Sequence, residues 1–196
     1  MTSIGIVYDS GYGHTAAQAR AVGEGAARIE GVSARLYFAG EVAEDPSLLD
    51  PCDALIFGTP TYMGSASATF KTFMEATSKI WLHQGWSGKL AAGFTNSGGH
   101  NGDKLNTLFQ LNLFAMQHGM LWVGLGLLDG NDASYKSNSN LNRLGCYLGA
   151  MAQSNSDEGL EGMEPSDLLT ASALGARVAR ASLAWNREGL AHQCEF

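Results

Sequence analysis

An apolar run with no alternation, Ile4-Gly5-Ile6-Val7, passes through "YDSGYGHT" into an Ala-rich segment with helical periodicity. A strand that is apolar on both sides has no face for solvent. It belongs inside a parallel sheet covered by helices. The helix that follows carries Thr15, Ala19, Val22, Ala26 and Ile29 at steps of four and three, a stripe of small side chains suited to close packing on a sheet. The same unit recurs. Ser33–Ala39 reads as a second strand, Ala54–Gly58 as a third, Leu90–Thr95 as a fourth and Leu121–Leu128 as a fifth. Helices are expected over Ala66–Ile80, over Lys104–Gln117 with Gly119 as its stop, and from Pro165 onward. The last would bury Leu168, Ala171, Leu174, Val178, Ala181 and Trp185. "EDPSLLDP" and "WLHQGWSGK" read as loops, and residues 129–164 as one long polar loop. A loop of that length is usually functional or mobile. Alternating strands and helices predict an α/β fold, with five parallel strands in a doubly wound sheet and helices on both faces.

Composition narrows the function classes. The chain has 196 residues, 45% hydrophobic and 16% charged, as expected of one globular domain over 1–196. Twelve Lys and Arg against 19 Asp and Glu give a formal charge of −7. The basic residues are scattered singly along the sequence, so no nucleic-acid partner is expected. Cys52, Cys146 and Cys194 form no CxxC pair, which argues against a disulfide framework or a zinc site. His14 and His118 have no metal-ligand spacing with another His or Cys, so no metal is expected. The N-terminal residues read directly as a strand, without a signal peptide's basic region. The longest apolar run, Gly119–Leu128, is well short of the roughly 20 residues a bilayer span needs. A cytoplasmic protein without membrane insertion is the expectation.

In a doubly wound sheet, ligands sit at the C-terminal ends of the strands. The segments after strands one, three and four are Asp9–Thr15, Thr59–Ser65 and Asn96–Gly102, and they are the most unusual stretches of the chain. In the first, Gly11, Gly13 and Ala16 match GxGxxG/A. Ser10, Thr15 and His14 add donors to the free N–H groups of a helix start, which suits a terminal phosphate monoester such as that of FMN. No Lys precedes the hydroxyl, so a nucleotide-hydrolysing P-loop does not fit. The same residues also suit a capped helix that binds nothing. In the second segment Pro60 stiffens the backbone, Gly64 permits an unusual turn, and Tyr62 or Met63 could pack on a flat heterocycle. The third, "TNSGGHNGD", offers small residues and amide donors to a ring edge. His118, at a helix C-terminus, would be favoured by the helix dipole alone.

Four stretches, "YGHTAAQARAVGEGA", "ALIFGTPTYMG", "SGKLAAGFTNSGG" and "QHGMLWVGLG", appear in this order. With them the chain resembles the flavodoxin-like NAD(P)H:quinone oxidoreductases of the WrbA family from Ile4 to Gly126. Beyond that only the Pro-Ser-Asp start of the last helix is similar. The resemblance implies strand order 2-1-3-4-5 and FMN as cofactor. It implies that Ser10, Tyr12, Gly13, His14 and Thr15 hold the FMN phosphate and its approach. Pro60, Thr61, Tyr62, Met63 and Gly64 would line one side of the flavin ring, and Asn96, Ser97, Gly98, Gly99 and Asn101 its other edge. Trp81 would border the open face, often from a neighbouring subunit, and His118 would reach the flavin pocket. The implied activity is two-electron transfer from NAD(P)H to a quinone, in a homodimer or homotetramer. The alternatives are a flavodoxin-type electron carrier serving a protein partner, an empty-pocket binding module, or a reductase of free flavin. Three features depart from the family pattern. The segment between strands two and three lacks an insertion that contributes to tetramer contacts, Met63 stands where an aromatic is usual, and 129–164 lacks a Gly-rich ending.

Overall fold

The structure is a computed structural model and describes residues 1–187. In chain order it begins β1 (Thr2–Tyr8), α1 (His14–Ala27), β2 (Val32–Phe38), α2 (Ala39–Val42), β3 (Ala54–Tyr62) and β4 (Ser65–Ala66). It continues α3 (Ala68–Ala76), α4 (Ser78–Leu82), β5 (Leu90–Ser97), α5 (Lys104–Gln117), β6 (Leu121–Trp122), β7 (Ala150–Gln153) and α6 (Pro165–Arg187). The main strands lie in the order β2-β1-β3-β5-β6, all parallel. Counted as lanes, this is the order 2-1-3-4-5.

Side chains alternate across the sheet. Ala54 and Ile56 of β3 face one side, where Ile4, Ile6, Phe94, Val22, Leu174 and Val178 complete a core under α1 and α6. Leu55 and Phe57 face the other, with Val7, Phe70, Phe73, Trp86, Leu108 and Phe114 under α3 and α5. The small stripe of α1 lets it approach α6 closely. A Cβ on Gly25 would collide with the Ser172 carbonyl, and one on Gly175 with the Val22 carbonyl.

The fifth lane differs from the expected strand Leu121–Leu128. Only Leu121 and Trp122 pair with Leu90 and Ala91. The chain then leaves the sheet, turning at Gly126 (φ 68°), and the Leu125 N–H bonds to the Tyr147 carbonyl of the chain's own return segment at 2.9 Å. It re-enters the same lane as β7, where Ala150–Gln153 pairs with Phe94–Ser97. The stretch expected to be loop over 129–164 therefore contains a strand and a single turn of 3-10 helix (Leu160–Gly162).

Other bounds shift for local reasons. β3 runs on through Pro60 to Tyr62 and returns as β4 through Met63 (φ 50°) and Gly64 (φ 76°). Two positive φ values in a two-residue loop match the twist of a hairpin. The expected helix Ala66–Ile80 is broken at Thr77, whose hydroxyl bonds the Met74 carbonyl at 2.7 Å. Trp86, in a segment read as loop, is fully buried, with its indole N–H on Asp50 Oδ1 at 2.9 Å. Cys52 and Cys146 are buried free thiols, and Cys194 lies outside the described residues. The basic residues are less scattered in space than in sequence, since Arg28, Arg177 and Arg180 rim one cleft between α1, α6 and the excursion.

Candidate functional site

The three strand-end segments converge. Ser10, Tyr12, His14 and Thr15 meet Pro60, Thr61 and Tyr62, and then Asn96, Ser97 and Gly98, around one cavity of about 260 Å³ at the C-terminal edge of the sheet. Each lane delivers its segment because the parallel register brings strand ends level: Tyr8 pairs with Gly58, and Pro60 with Asn96.

The first segment is a turn closed on itself. Ser10 Oγ accepts the Gly13 N–H at 3.0 Å, which leaves the hydroxyl proton free to donate. Gly13 (φ 92°) opens α1 with no side-chain cap, so the first-turn N–H groups stay available. Thr15 is buried at the cavity wall. His14 is committed elsewhere, its Nε2 bonding the Gly159 carbonyl at 2.9 Å. Tyr62 reaches across from β3, its hydroxyl resting where a Cβ of Gly11 would be. Gly11 is thus needed for close approach.

A hydroxyl cluster fixes the floor. Thr61 Oγ1 lies 2.8 Å from both Thr95 Oγ1 and Thr107 Oγ1, tying β3, β5 and α5 together. Ser67 caps α3 and donates to Asp9 Oδ2 at 2.5 Å. Asn96 Nδ2 donates to Ser154 Oγ at 2.9 Å, while Asn96 Oδ1 is buried without a partner among the described residues.

Several expected site residues stand apart from the cavity. Gly13 acts as the helix cap, and Met63 and Gly64 form the exposed hairpin tip. Gly99 turns its carbonyl to Lys104 Nζ at 2.6 Å. Asn101 Oδ1 accepts the Asp103 N–H at 3.1 Å and lines a neighbouring depression of about 720 Å³ with His100. Trp81 and His118 share a third depression of about 340 Å³, at the other end of the sheet. The Gly119 carbonyl beside His118 accepts the Gly88 N–H just before β5 begins, a strand length of about 25 Å from the cavity. His118 is buried between Trp86 and Phe114, with ring centroids at 4.7 and 4.8 Å, and its Nε2 lies 3.0 Å from Thr77 Oγ1. Burial lowers its pKa to about 4. The ring is neutral at pH 7, and the helix dipole, which favours a cation, is outweighed by desolvation.

Three residues escaped the sequence reading. Ser154 and Ser156 join the cavity from the segment after β7. The short apolar run Ala150–Ala152 followed by "QSNS" was the available signal. Lys104, hidden at the start of a helix, is fully buried and holds the third segment from behind.

Comparison with known proteins identifies the family and the fold. Residues 30–131 match the family model described as NADPH-dependent FMN reductase. The chain is 41% identical over 181 residues to "Flavodoxin FldP" of Pseudomonas aeruginosa, covering 92% of this chain and 96% of that one. It is 30% identical over 144 residues to an "NAD(P)H dehydrogenase (quinone)" of Chromohalobacter salexigens, covering 64% and 72%. A solved structure of a flavodoxin, WrbA-like protein from Agrobacterium tumefaciens superposes with TM-score 0.73 at 41% identity, over 94% of this chain and 99% of that one. The strand-end cavity, the parallel sheet and these matches place the chain in the NADPH-dependent FMN reductase family, as a WrbA-like protein of flavodoxin fold.

Proposed function

We propose that the chain is an FMN-dependent oxidoreductase that passes two electrons from NAD(P)H to a quinone. The observation that carries the cofactor's place is the uncapped start of α1 beside the Ser10 and Thr15 hydroxyls, in one cavity with the unpartnered Asn96 Oδ1. That donor set suits a phosphate dianion, and the orphan acceptor suits a hydroxyl or N–H of the same ligand. At about 260 Å³ the cavity falls at the small end of ligand pockets, so it would take the phosphate and its linker and leave the ring on the rim.

FMN, when bound, supplies the hydride-accepting and hydride-donating chemistry. The protein's part is placement. Ser10, Thr15 and the first-turn N–H groups of α1 bind the phosphate. Tyr12, His14 and Gly13 shape its approach, with His14 braced by Gly159. Pro60, Thr61 and Tyr62 form the wall on one side, with Met63 and Gly64 at its outer end. Asn96, Ser97 and Gly98 form the opposite edge, and Gly99 and Asn101 continue that segment beyond the cavity. Trp81 and His118 are too far from the cavity of their own chain; exposed Trp81 would serve only the site of a second copy in a homodimer or homotetramer, and buried His118 would stand behind it.

Support for the quinone as acceptor comes from relatives at 30–32% identity named for that activity. A second reading, an electron carrier for a protein partner, is favoured by the 41% identical relative named a flavodoxin. Purified protein mixed with NAD(P)H and benzoquinone separates the two. Steady NAD(P)H consumption supports the enzyme. No consumption, with reduction of the bound flavin in two separate one-electron steps, supports the carrier. In either case a Ser10→Ala, Thr15→Ala double variant should bind FMN more weakly by a factor of about 100 or more, since each lost hydrogen bond to a charged group costs about 1.5–3 kcal/mol. Unchanged FMN retention would refute the phosphate assignment.

A further inference from the structure

Behind the third strand-end segment lies a cation with no carboxylate in contact among the described residues. Lys104 is fully buried, and its ammonium meets Ser97 Oγ at 2.7 Å, the Gly99 carbonyl at 2.6 Å and the His100 carbonyl at 2.9 Å. An ammonium has three N–H donors, and all three are used. The preceding carbonyl, Gly98, is held by Gln153 Nε2 at 3.0 Å. Three consecutive carbonyls, 98 to 100, are therefore drawn inward. In a trans peptide the N–H points opposite to the carbonyl. The N–H groups of His100 and Asn101 thus face away from Lys104, that of Gly99 faces away from Gln153, and none has a protein acceptor among the described residues. A run of outward N–H groups is an anion-binding surface, and here it is backed by a buried positive charge.

We propose that Lys104 is a positioning residue for the flavin: it turns the 98–101 backbone into a row of donors and favours the more negative, reduced form of bound FMN over the oxidised form. This rests on the placement of FMN given above. A unit charge about 10 Å away, at an effective dielectric of about 20, alters the binding of an anion on the order of tenfold. The charged groups that act on Lys104 are Asp167 at the start of α6, which favours its protonation, and Arg143 of the excursion, which opposes it. Burial outweighs both and lowers the Lys104 pKa to about 8.

The test is a redox titration of bound FMN in wild type, Lys104→Met and Lys104→Arg, with FMN affinity measured by fluorescence quenching. Lys104→Met should weaken reduced FMN about tenfold more than oxidised FMN, a fall of ~30 mV in the two-electron midpoint potential. Lys104→Arg should restore most of it. Equal weakening of both forms, with the potential unmoved, overturns the proposal and leaves Lys104 a packing residue. Should the variants fail to fold, wild type alone decides. Reduction should raise the Lys104 pKa and take up extra proton, steepening the potential-against-pH plot just above pH 8; a plot without that steepening overturns the proposal. Wild-type protein that takes up no FMN at all overturns the cofactor reading and this proposal with it.

Discussion

His118 shows how far a side chain's surroundings can reverse its sequence-level meaning. At the C-terminus of α5 an exposed imidazolium would be stabilised by the helix dipole. Packed against Trp86 and Phe114, the ring stays neutral, and its pKa falls from 6.5 to about 4. The unfolded chain then binds a proton more readily than the native one below pH 6.5. Stability should fall as pH drops from 6.5 to 4, by about 3 kcal/mol from this group. Urea unfolding at pH 7 and pH 4.5 should show that loss in wild type, with most of it absent from His118→Gln. The buried pair Arg143–Asp167 is the second residue-scale test. Arg143 Nε and Nη2 hold the two carboxylate oxygens at 2.8 and 2.7 Å, and Asp167 also accepts the Gln153 N–H at 2.9 Å. Asp167→Ala leaves a buried guanidinium unpaired and should cost about 3–5 kcal/mol, read from the urea midpoint. The hydroxyls of Ser10 and Thr15 were legible in the sequence because a strand-turn-helix junction dictates where they go. Lys104 was not, because a lysine opening a helix normally points to solvent, and only the folded loop closes the Ser97 hydroxyl and the Gly99 and His100 carbonyls over it.

At the scale of elements, the α1–α6 crossing is a joint held close by two glycines, Gly25 and Gly175. Gly25→Ala would ordinarily gain about 1 kcal/mol of helix propensity. Here the new methyl meets the Ser172 carbonyl, a backbone atom that cannot swing aside. The net effect should be a loss of about 1–3 kcal/mol, seen as a lower unfolding temperature, and Gly175→Ala should behave alike. The stripe Thr15, Ala19, Val22, Ala26 announced a close-packing face on α1, and Ala171, Leu174 and Val178 announced its counterpart on α6. Their mutual approach was not written in either, since periodicity shows which face is buried and not against what. The same limit applied to β3. Its apolar run ended visibly at Gly58, but Thr59 and Pro60 are held by pairing with β5 and Thr61 by the Thr61–Thr95–Thr107 cluster, contacts between segments far apart in sequence.

For the whole molecule, the doubly wound parallel sheet and the edge that carries the cavity followed from strand-helix alternation, while the order of the lanes came from the family resemblance. The path of the chain through the fifth lane followed from neither. A break inside a strand leaves two apolar pieces too short to stand out, and here Leu121–Trp122 and Ala150–Gln153 are separated by the whole excursion. The excursion is anchored at both ends, by the Val123 N–H on the Ala91 carbonyl at 2.7 Å and by Ala150 opposite Phe94. Between those anchors β5 offers only Ala92 and Gly93. A two-residue link in place of 123–149 would therefore complete the lane as one unbroken strand. Such a shortened chain gives up Leu125 from the core and Arg143 from Asp167, so it should be less stable, yet its cavity walls would be intact and FMN retention is the measurement that checks this. The lane thus acts as a splice point. Sequence of almost any length can be grafted there, or trimmed away, while Ser154 and Ser156 keep their place, so relatives of this chain are free to diverge in size and in surface at this edge without re-engineering the pocket.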